Sequence, residues 1–207
     1  MESKLFTPVT FGPLTLRNRT IRSAAFESMC PGNAPSDMLL NYHRSVAAGG
    51  IGMTTVAYAA VTRSGLSFDR QLWMRPEIIP GLRRLTDAVH AEGAAAGIQL
   101  GHCGNMSHKS ICGCTPVGAS GGFNLYSPTF VRGLRADELP ELARAYGRSV
   151  NLAREAGFDA VEIHAGHGYL ISQFLSPATN HRKDEFGGSL QNRMRFMDMV
   201  MEEVMKA

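Results

Sequence analysis

Short apolar runs and longer amphipathic stretches alternate along the whole chain. The runs are rich in Ala, Ile and Val and have the length of buried strands, and the stretches between them repeat apolar side chains at helical spacing. The pattern predicts strands at Thr20–Ala25, Ile51–Ala60, Ala94–Leu100 and Phe158–His164. It predicts helices at Asp37–Ala48, from Pro76 to Gly93, at about Asp137–Ala156 and from Leu190 to the terminus.

Capping residues support these boundaries. Ser36 and Ser189 stand where an N-cap hydroxyl is expected, and Gly49-Gly50 follows the first helix as a stop signal. A hairpin over residues 5–18, turning at Gly12-Pro13, is predicted ahead of the first strand. The stretch from Gly101 to about Ala136 is predicted to be irregular.

An internal repeat indicates the fold class. EGAAAGIQLGH (92–102) and EAGFDAVEIHAGH (155–167) each combine a helix end, a glycine, a buried strand and a histidine-bearing loop. Alternating βα units predict an α/β fold, either doubly wound or a barrel. No G-x-G-x-x-G or Walker-type loop occurs, which disfavours a Rossmann or P-loop protein. Four βα units amount to half of a (β/α)8 barrel.

Composition narrows the class of protein. The chain has 207 residues, of which 44% are hydrophobic and 19% charged, and its 21 basic and 18 acidic side chains are interspersed. No apolar run reaches the roughly 20 residues of a membrane span, and the N-terminus lacks the apolar region of a signal peptide. We therefore expect a cytoplasmic, soluble protein that binds neither nucleic acid nor membrane.

Polar side chains follow the predicted strands, where α/β proteins place their active sites. The candidates after the first two strands are Ser23–Glu27 and Ala57-Tyr58. The third strand ends with Gln99 and is followed by His102. His164, His167 and Tyr169 follow the fourth.

His164, His167 and Tyr169 form the densest group. Two imidazoles and a phenol supply hydrogen-bond donors for an anionic oxygen and a proton donor. A single histidine at a strand end is more often structural, whereas three such groups together favour catalysis. An H-x-x-H pair can also hold a metal, and a TIM-barrel metalloenzyme using His102, His164 and His167 is a lower-ranked alternative because carboxylate ligands are missing nearby.

Three of the four cysteines cluster in one glycine-rich stretch. Cys103, Cys112 and Cys114 lie near His102 and His108, whereas Cys30 stands alone. Their C-x8-C-x-C spacing matches none of the common structural zinc sites. We interpret them as reduced thiols, with a metal site as the minority alternative.

Longer blocks carry a specific resemblance. They are LFTPVTFGPLTLRNRTIRSA, AAGGIGMTTVAYAAV, GIQLGHCG and AGFDAVEIHAGHGYLISQFLSPATNHRKDEFGGSLQNRMRF. In this order and over essentially the whole chain, the sequence resembles the N-terminal half of the Old Yellow Enzyme family, the FMN-dependent NAD(P)H:flavin oxidoreductases or ene-reductases.

The resemblance implies a TIM barrel that binds FMN, and NADH or NADPH as the reductant of this flavin. It assigns flavin contacts to Ala24, Ala25, Phe26, Tyr58, Gln99 and His164. It implies that His164 and His167 bind the carbonyl oxygen of a small enone or enoyl substrate, and that Tyr169 protonates the substrate.

The chain also departs from the family pattern. Phe26 stands where many members carry Thr or Cys, and Cys103-Gly104-Asn105 replaces the commoner Ala-Gly-Arg. We expect residues 1–207 to be the N-terminal half of a single FMN-binding barrel domain, truncated before the family's phosphate-binding loops. The alternative is a non-catalytic half-barrel that needs a partner half to bind FMN. Among partners, a homo-oligomer is also considered.

Overall fold

The computed structural model describes residues 3–207. The strands are β1 Val9–Phe11, β2 Leu14–Leu16, β3 Ile21–Arg22, β4 Met53–Ala60, β5 Leu72–Trp73, β6 Ala95–Gly101, β7 Val117–Gly118, β8 Gly122–Asn124, β9 Thr129–Gly133 and β10 Ala160–Ile163. The helices are α1 Asp37–Ala48, α2 Ile79–Ala91, α3 Lys109–Cys112, α4 Leu139–Glu155, α5 Leu170–Leu175 and α6 Leu190–Lys206.

The chain divides into two compact units. The first comprises the residues up to Ala59 together with Arg70–Gln99 and Leu152–Glu162. The second comprises Ala60–Asp69, Leu100–Asn151 and Ile163–Ala207.

The first unit is built on a sheet with strand order β10-β6-β4-β3, and β5 also pairs with β4. β3 and β4 run parallel, with Ile21 opposite Met53. Almost every side chain of the central strands β4 and β6 is buried, which explains their nearly continuous apolar sequences. Ahead of the sheet, β1 and β2 form the predicted antiparallel hairpin, and Gly12 takes the positive φ of +55° that the turn requires.

Helices α1 and α2 pack together within the same unit. Ser36 Oγ accepts the Leu39 N–H at 3.2 Å, so the predicted N-cap of α1 is confirmed. The inner face of α1 carries Leu39, His43 and Ala47, all buried. The buried histidine on this otherwise apolar stripe takes part in the site described below.

The second unit contains α3 to α6 and a small sheet of strand order β7-β9-β8. Its core is aromatic: Tyr146, Phe174 and Phe196 are fully buried, and the last two rings lie 4.7 Å apart between centroids, joining α5 to α6. Ser189 Oγ accepts the Asn192 N–H at 3.2 Å and caps α6 as predicted.

The structure corrects several predicted boundaries. The strand predicted at Thr20–Ala25 contains only Ile21–Arg22, because Ser23–Cys30 forms an extended loop held by side-chain contacts. Tyr58 lies inside β4 rather than beyond it, and Gln99 lies inside β6 rather than at its end. The stretch predicted to be irregular, 101–136, contains α3 and the strands β7 to β9. The helix α5 lies between the fourth predicted strand and the last predicted helix, where no element was predicted.

Among residues 3–207, no helix has both the length and the apolar character needed to span a bilayer.

Candidate active site

In the first unit, Glu27 anchors the loop that carries the proposed flavin contacts. Its Oε1 lies 2.8 Å from Arg22 Nη1 and 3.0 Å from His43 Nε2. Its Oε2 accepts the Ala57 N–H at 3.2 Å. Because the carboxylate is almost completely buried and its partners come from β3, α1 and β4, these contacts fix the loop conformation against three elements.

The partners of Glu27 are themselves held in place. His43 Nδ1 lies 2.8 Å from Thr54 Oγ1, and Arg22 Nη1 donates to the Thr55 carbonyl at 2.6 Å. The Arg22 guanidinium also lies 4.9 Å from the ring centroid of Tyr42. Sequence analysis noted Glu27 only as one polar residue after a strand and missed this network. The histidine on the apolar face of α1 is the signal that could have revealed it.

The loop presents free backbone next to an exposed ring. Within residues 3–207, the backbone groups of Ala24 and Ala25 make no hydrogen bond. The Phe26 side chain is 64% exposed. Unused backbone donors and acceptors next to an aromatic face suit a planar heterocycle.

Gln99 and Tyr58 complete the proposed flavin contacts of this unit. Gln99 is buried, and its Nε2 donates to Glu162 Oε1 at 2.5 Å. Its amide oxygen accepts no hydrogen bond from the described part of the chain, residues 3–207. A buried amide with an unused oxygen can accept a hydrogen bond from an N–H group of a heterocycle. Tyr58 is buried within β4. The donor set of the first unit therefore fits a flavin ring.

In the second unit, His164, His167 and Tyr169 lie together as predicted from their spacing. His164 Nε2 lies 3.2 Å from His167 Nδ1, and their ring centroids are 4.9 Å apart. The Tyr169 ring stands perpendicular to His164 at 4.9 Å. His167 has a φ of +54°, a left-handed conformation that turns the chain back so that both imidazoles face one point.

Tyr169, the predicted proton donor, is the third member of this group. Its hydroxyl lies 3.1 Å from Ser67 Oγ, a partner that sequence analysis missed because the two residues are 102 positions apart. Burial raises the pKa of Tyr169, and the hydrogen bond from Ser67 partly offsets this. The phenol is therefore neutral at physiological pH and carries the proton that it would donate.

A pocket of about 500 Å³ borders this group within the second unit. His167 and Gly168 line one side, and Phe123 and Tyr126, from β8 and the turn before β9, line another. Apolar walls with a few polar groups are typical of small-molecule sites. Because 101–136 was predicted to be irregular, sequence analysis missed the hairpin that forms this wall.

Gln173 of α5 joins the two loops beside the pocket. Its Nε2 donates to the Gly168 carbonyl at 2.6 Å and to Asn105 Oδ1 at 2.9 Å, and its Oε1 accepts the Asn105 N–H at 3.2 Å. A Cβ on Gly104 would meet Gln173 Oε1 at 2.4 Å, so only glycine fits there. This buried amide therefore positions the residues that flank Tyr169.

His102 has a different environment. It is buried, its Nδ1 accepts the Gly104 N–H at 3.0 Å, and its Nε2 lies 3.1 Å from Ser64 Oγ. Burial lowers its pKa to about 4. Across residues 3–207, no three His, Cys, Asp or Glu side chains are grouped as a metal site would require.

Comparisons with known proteins find a matching family and several relatives. A model of the NADH:flavin oxidoreductase / NADH oxidase family matches residues 4–207. The chain is 44% identical over 200 residues to the 4,4'-dithiodibutanoate disulfide reductase of Rhodococcus erythropolis, covering 97% of this chain and 50% of that protein. It is 37% identical over 209 residues to an NADPH dehydrogenase of Bacillus subtilis, covering 99% of this chain and 60% of that protein.

Solved structures show the same fold. An old yellow enzyme homologue from Zymomonas mobilis superposes with a TM-score of 0.91 at 30% identity, covering 99% of this chain and 60% of that one. Morphinone reductase in complex with tetrahydroNAD superposes with a TM-score of 0.91 at 29% identity, covering 99% and 61%. The predicted α/β fold of the TIM-barrel type is confirmed. The chain spans 50% to 60% of the length of these relatives.

Proposed function

Because the chain belongs to the NADH:flavin oxidoreductase / NADH oxidase family, the Old Yellow Enzyme family that its sequence resembles, we propose that it reduces the activated C=C bond of an α,β-unsaturated carbonyl compound. FMN and NADH or NADPH are the cofactors used in this family, as predicted. The observation that carries the proposal is the 3.2 Å approach of His164 Nε2 to His167 Nδ1 beside Tyr169 and the pocket.

The flavin contacts are proposed at Ala24, Ala25, Phe26, Tyr58, Gln99 and His164. Their support is the set of unused backbone and amide groups described above, together with the Glu27 contacts that hold the loop. These residues would hold FMN, which would supply the hydride for the β-carbon of the substrate after reduction by NADH or NADPH.

His164 and His167 bind the substrate carbonyl oxygen through ring N–H groups, and this oxygen replaces the 3.2 Å contact between the two rings. As the β-carbon gains hydride, negative charge develops on this oxygen, and donors already in place stabilise it by about 2 to 4 kcal/mol each. Tyr169 then donates its hydroxyl proton to the α-carbon. Ser67 hydrogen-bonds the phenolate oxygen until solvent returns the proton.

Replacing Tyr169 tests this assignment. In flavin-loaded protein under anaerobic conditions, Tyr169→Phe is expected to slow reoxidation of the flavin by an enone at least about 10²-fold, because the α-carbon loses its proton donor. Flavin reduction by NADPH keeps its wild-type rate. Stopped-flow absorbance measures both half-reactions. Tyr126→Phe, at a site 91% exposed, is the matched control. An unchanged rate of enone reduction in Tyr169→Phe would remove this residue from the mechanism.

A small organic disulfide is a second candidate substrate. The relative that is 44% identical is a disulfide reductase, and this alone favours the second class. Turnover of a panel containing both a cyclic enone and 4,4'-dithiodibutanoate compares the two. The higher kcat/KM identifies the preferred class.

The visible spectrum of the purified chain separates the enzyme from the half-barrel alternative. Stoichiometric flavin absorbance that survives gel filtration supports cofactor binding by residues 1–207 alone. A colourless protein that turns yellow only with a partner half supports the alternative.

A further inference from the structure

The proposed function makes no use of the thiols of Cys112 and Cys114. Their sulfur atoms lie 3.7 Å apart, and the Cys112 thiol donates to the Cys114 carbonyl at 3.2 Å. Helix α3 ends at Cys112, and Gly113 then takes a φ of +75°. This left-handed turn brings both side chains to the same side of the chain.

The two thiols differ in exposure. Cys114 is exposed on a pocket of about 640 Å³ that is separate from the pocket beside His167. Cys112 is only 2% exposed behind it. One accessible sulfur with a second sulfur in van der Waals contact is the arrangement of an attacking thiol and a resolving thiol.

The charges around the pocket favour a small, uncharged or mixed-charge reagent. Arg132 pairs with Glu138 at 2.7 Å, and Arg148 pairs with Glu141 at 2.8 Å. The lining therefore carries balanced charge and does not select strongly for an anion or a cation. Its volume admits a small molecule.

We propose that Cys112 and Cys114 form a dithiol site that low-molecular-weight disulfides oxidise to an intrachain disulfide. The Cys114 thiolate attacks one sulfur of the reagent, forming a mixed disulfide and releasing one thiolate. The Cys112 thiolate then attacks Cys114 Sγ, forms the intrachain bond and releases the second thiolate. Two electrons pass from the protein dithiol to the reagent, and the two thiol protons go to solvent or to the released thiolates.

The same geometry makes the oxidised form easy to reduce. A bond between residues two positions apart closes a very short loop, so it gains little stabilisation from the unfolded chain. It is also exposed through Cys114, and exposed or strained disulfides are the labile ones. Two equivalents of a low-molecular-weight thiol would therefore return the disulfide to the dithiol and leave as one disulfide.

The surroundings of Cys114 determine the pH at which its thiol reacts. Burial and the neighbouring Cys112 raise the pKa of the Cys114 thiol, whereas Arg63 and Arg132 oppose this shift. The thiolate fraction at neutral pH is accordingly small, and exchange is fastest in mildly alkaline buffer.

Peptide mapping tests the proposal. Reduced protein is incubated with oxidised glutathione in mildly alkaline buffer without NADPH, alkylated and cleaved with trypsin. Cleavage after Lys109 and Arg132 places Cys112 and Cys114 in one peptide that contains no other cysteine. The expected result is loss of two of the four alkylatable thiols, and a peptide two hydrogens lighter than its dithiol form.

Single substitutions assign the two steps. Cys112→Ser is expected to stop at a glutathione adduct on Cys114, and Cys114→Ser to leave Cys112 unreacted because it is buried. Cys30→Ser is the matched control and oxidises like the wild type. The proposal is overturned if this peptide keeps both thiols, if Cys30 or Cys103 reacts in their place, or if Cys112→Ser gives no adduct. Because neither flavin nor NADPH takes part, these outcomes are independent of the reductase activity.

Discussion

Two loops of the second unit share a sequence pattern but differ in chemistry. His102 follows β6 and His164 follows β10, and each strand comes after a helix that is followed by a glycine. His102 is 1% exposed and both of its ring nitrogens bond to the surrounding protein. His164 directs Nε2 to a second imidazole at the edge of a pocket.

The difference follows from the tautomer that each environment imposes. His102 Nδ1 accepts a backbone N–H, so its proton lies on Nε2 and is donated to Ser64. Both nitrogens are thereby used to close the loop. The nitrogens of His164 and His167 face each other, and a ligand oxygen can take the place of that contact. A histidine at a strand end can thus be a structural element or a catalytic one, depending on what its second nitrogen meets.

The largest expected effect is the loss of stability when the His102 side chain is removed. His102→Ala is expected to lower the free energy of unfolding by about 3 kcal/mol, since it leaves a cavity and removes two buried hydrogen bonds. Urea denaturation measures it. His167→Ala, at an exposed position, is expected to change stability by less than about 1 kcal/mol. Equal losses in both variants would erase the distinction between the two loops.

The same histidine predicts a dependence of stability on pH. Its pKa is about 4 in the folded protein and near 6.5 when unfolded, so the unfolded state binds the extra proton between these values. Stability therefore falls by about 3 kcal/mol as the pH decreases from 6.5 to 4, and this loss is complete below pH 4. Carboxylates titrate in the same range, so the measurement is the difference between wild type and His102→Gln. Parallel pH profiles would contradict the buried neutral imidazole.

Removing His164 is expected to affect turnover instead. His164→Ala is expected to lower kcat/KM for an enone by about 10²-fold, because one donor to the developing negative charge is lost. Steady-state kinetics of flavin-loaded protein measures this, with His181→Ala, an exposed histidine that lines the pocket beside His167, as the control. A loss as large in the control would mean that the pocket as a whole, rather than the donor, is responsible.

The smallest effect concerns the backbone at His167. A non-glycine residue at a φ of +54° costs about 1 kcal/mol, and glycine removes this strain while adding a similar entropy to the unfolded chain. His167→Gly is therefore expected to leave the free energy of unfolding within about 1 kcal/mol of wild type while reducing turnover. Thermal unfolding and kinetics on the same sample test both halves. A large loss of stability would show that the imidazole holds the loop.

Elements with strong periodicity were predictable from sequence, and those built by distant contacts were not. The helix predicted at Asp37–Ala48 is found with those bounds, and the strand predicted at Ile51–Ala60 differs at one end only. The hairpin of β8 and β9 was missed because its residues alternate weakly and are mostly exposed, so its conformation depends on pairing.

The contacts of the candidate site also differ in whether the sequence could predict them. The grouping of His164, His167 and Tyr169 followed from a spacing of three and two residues, which local chain geometry preserves. Ser67 reaches Tyr169 from 102 positions away, and no local pattern encodes that contact. The burial of His102 was equally hidden, since its sequence neighbourhood resembles that of His164.

The anchoring of Glu27 also links ligand binding to folding. Its partners belong to β3, α1 and β4, so the loop at Ser23–Cys30 becomes ordered only when those three elements are assembled. By thermodynamic linkage, any molecule held by this loop must raise the opening free energy of all three. Amide hydrogen exchange would then slow in α1, away from any atom that the ligand touches.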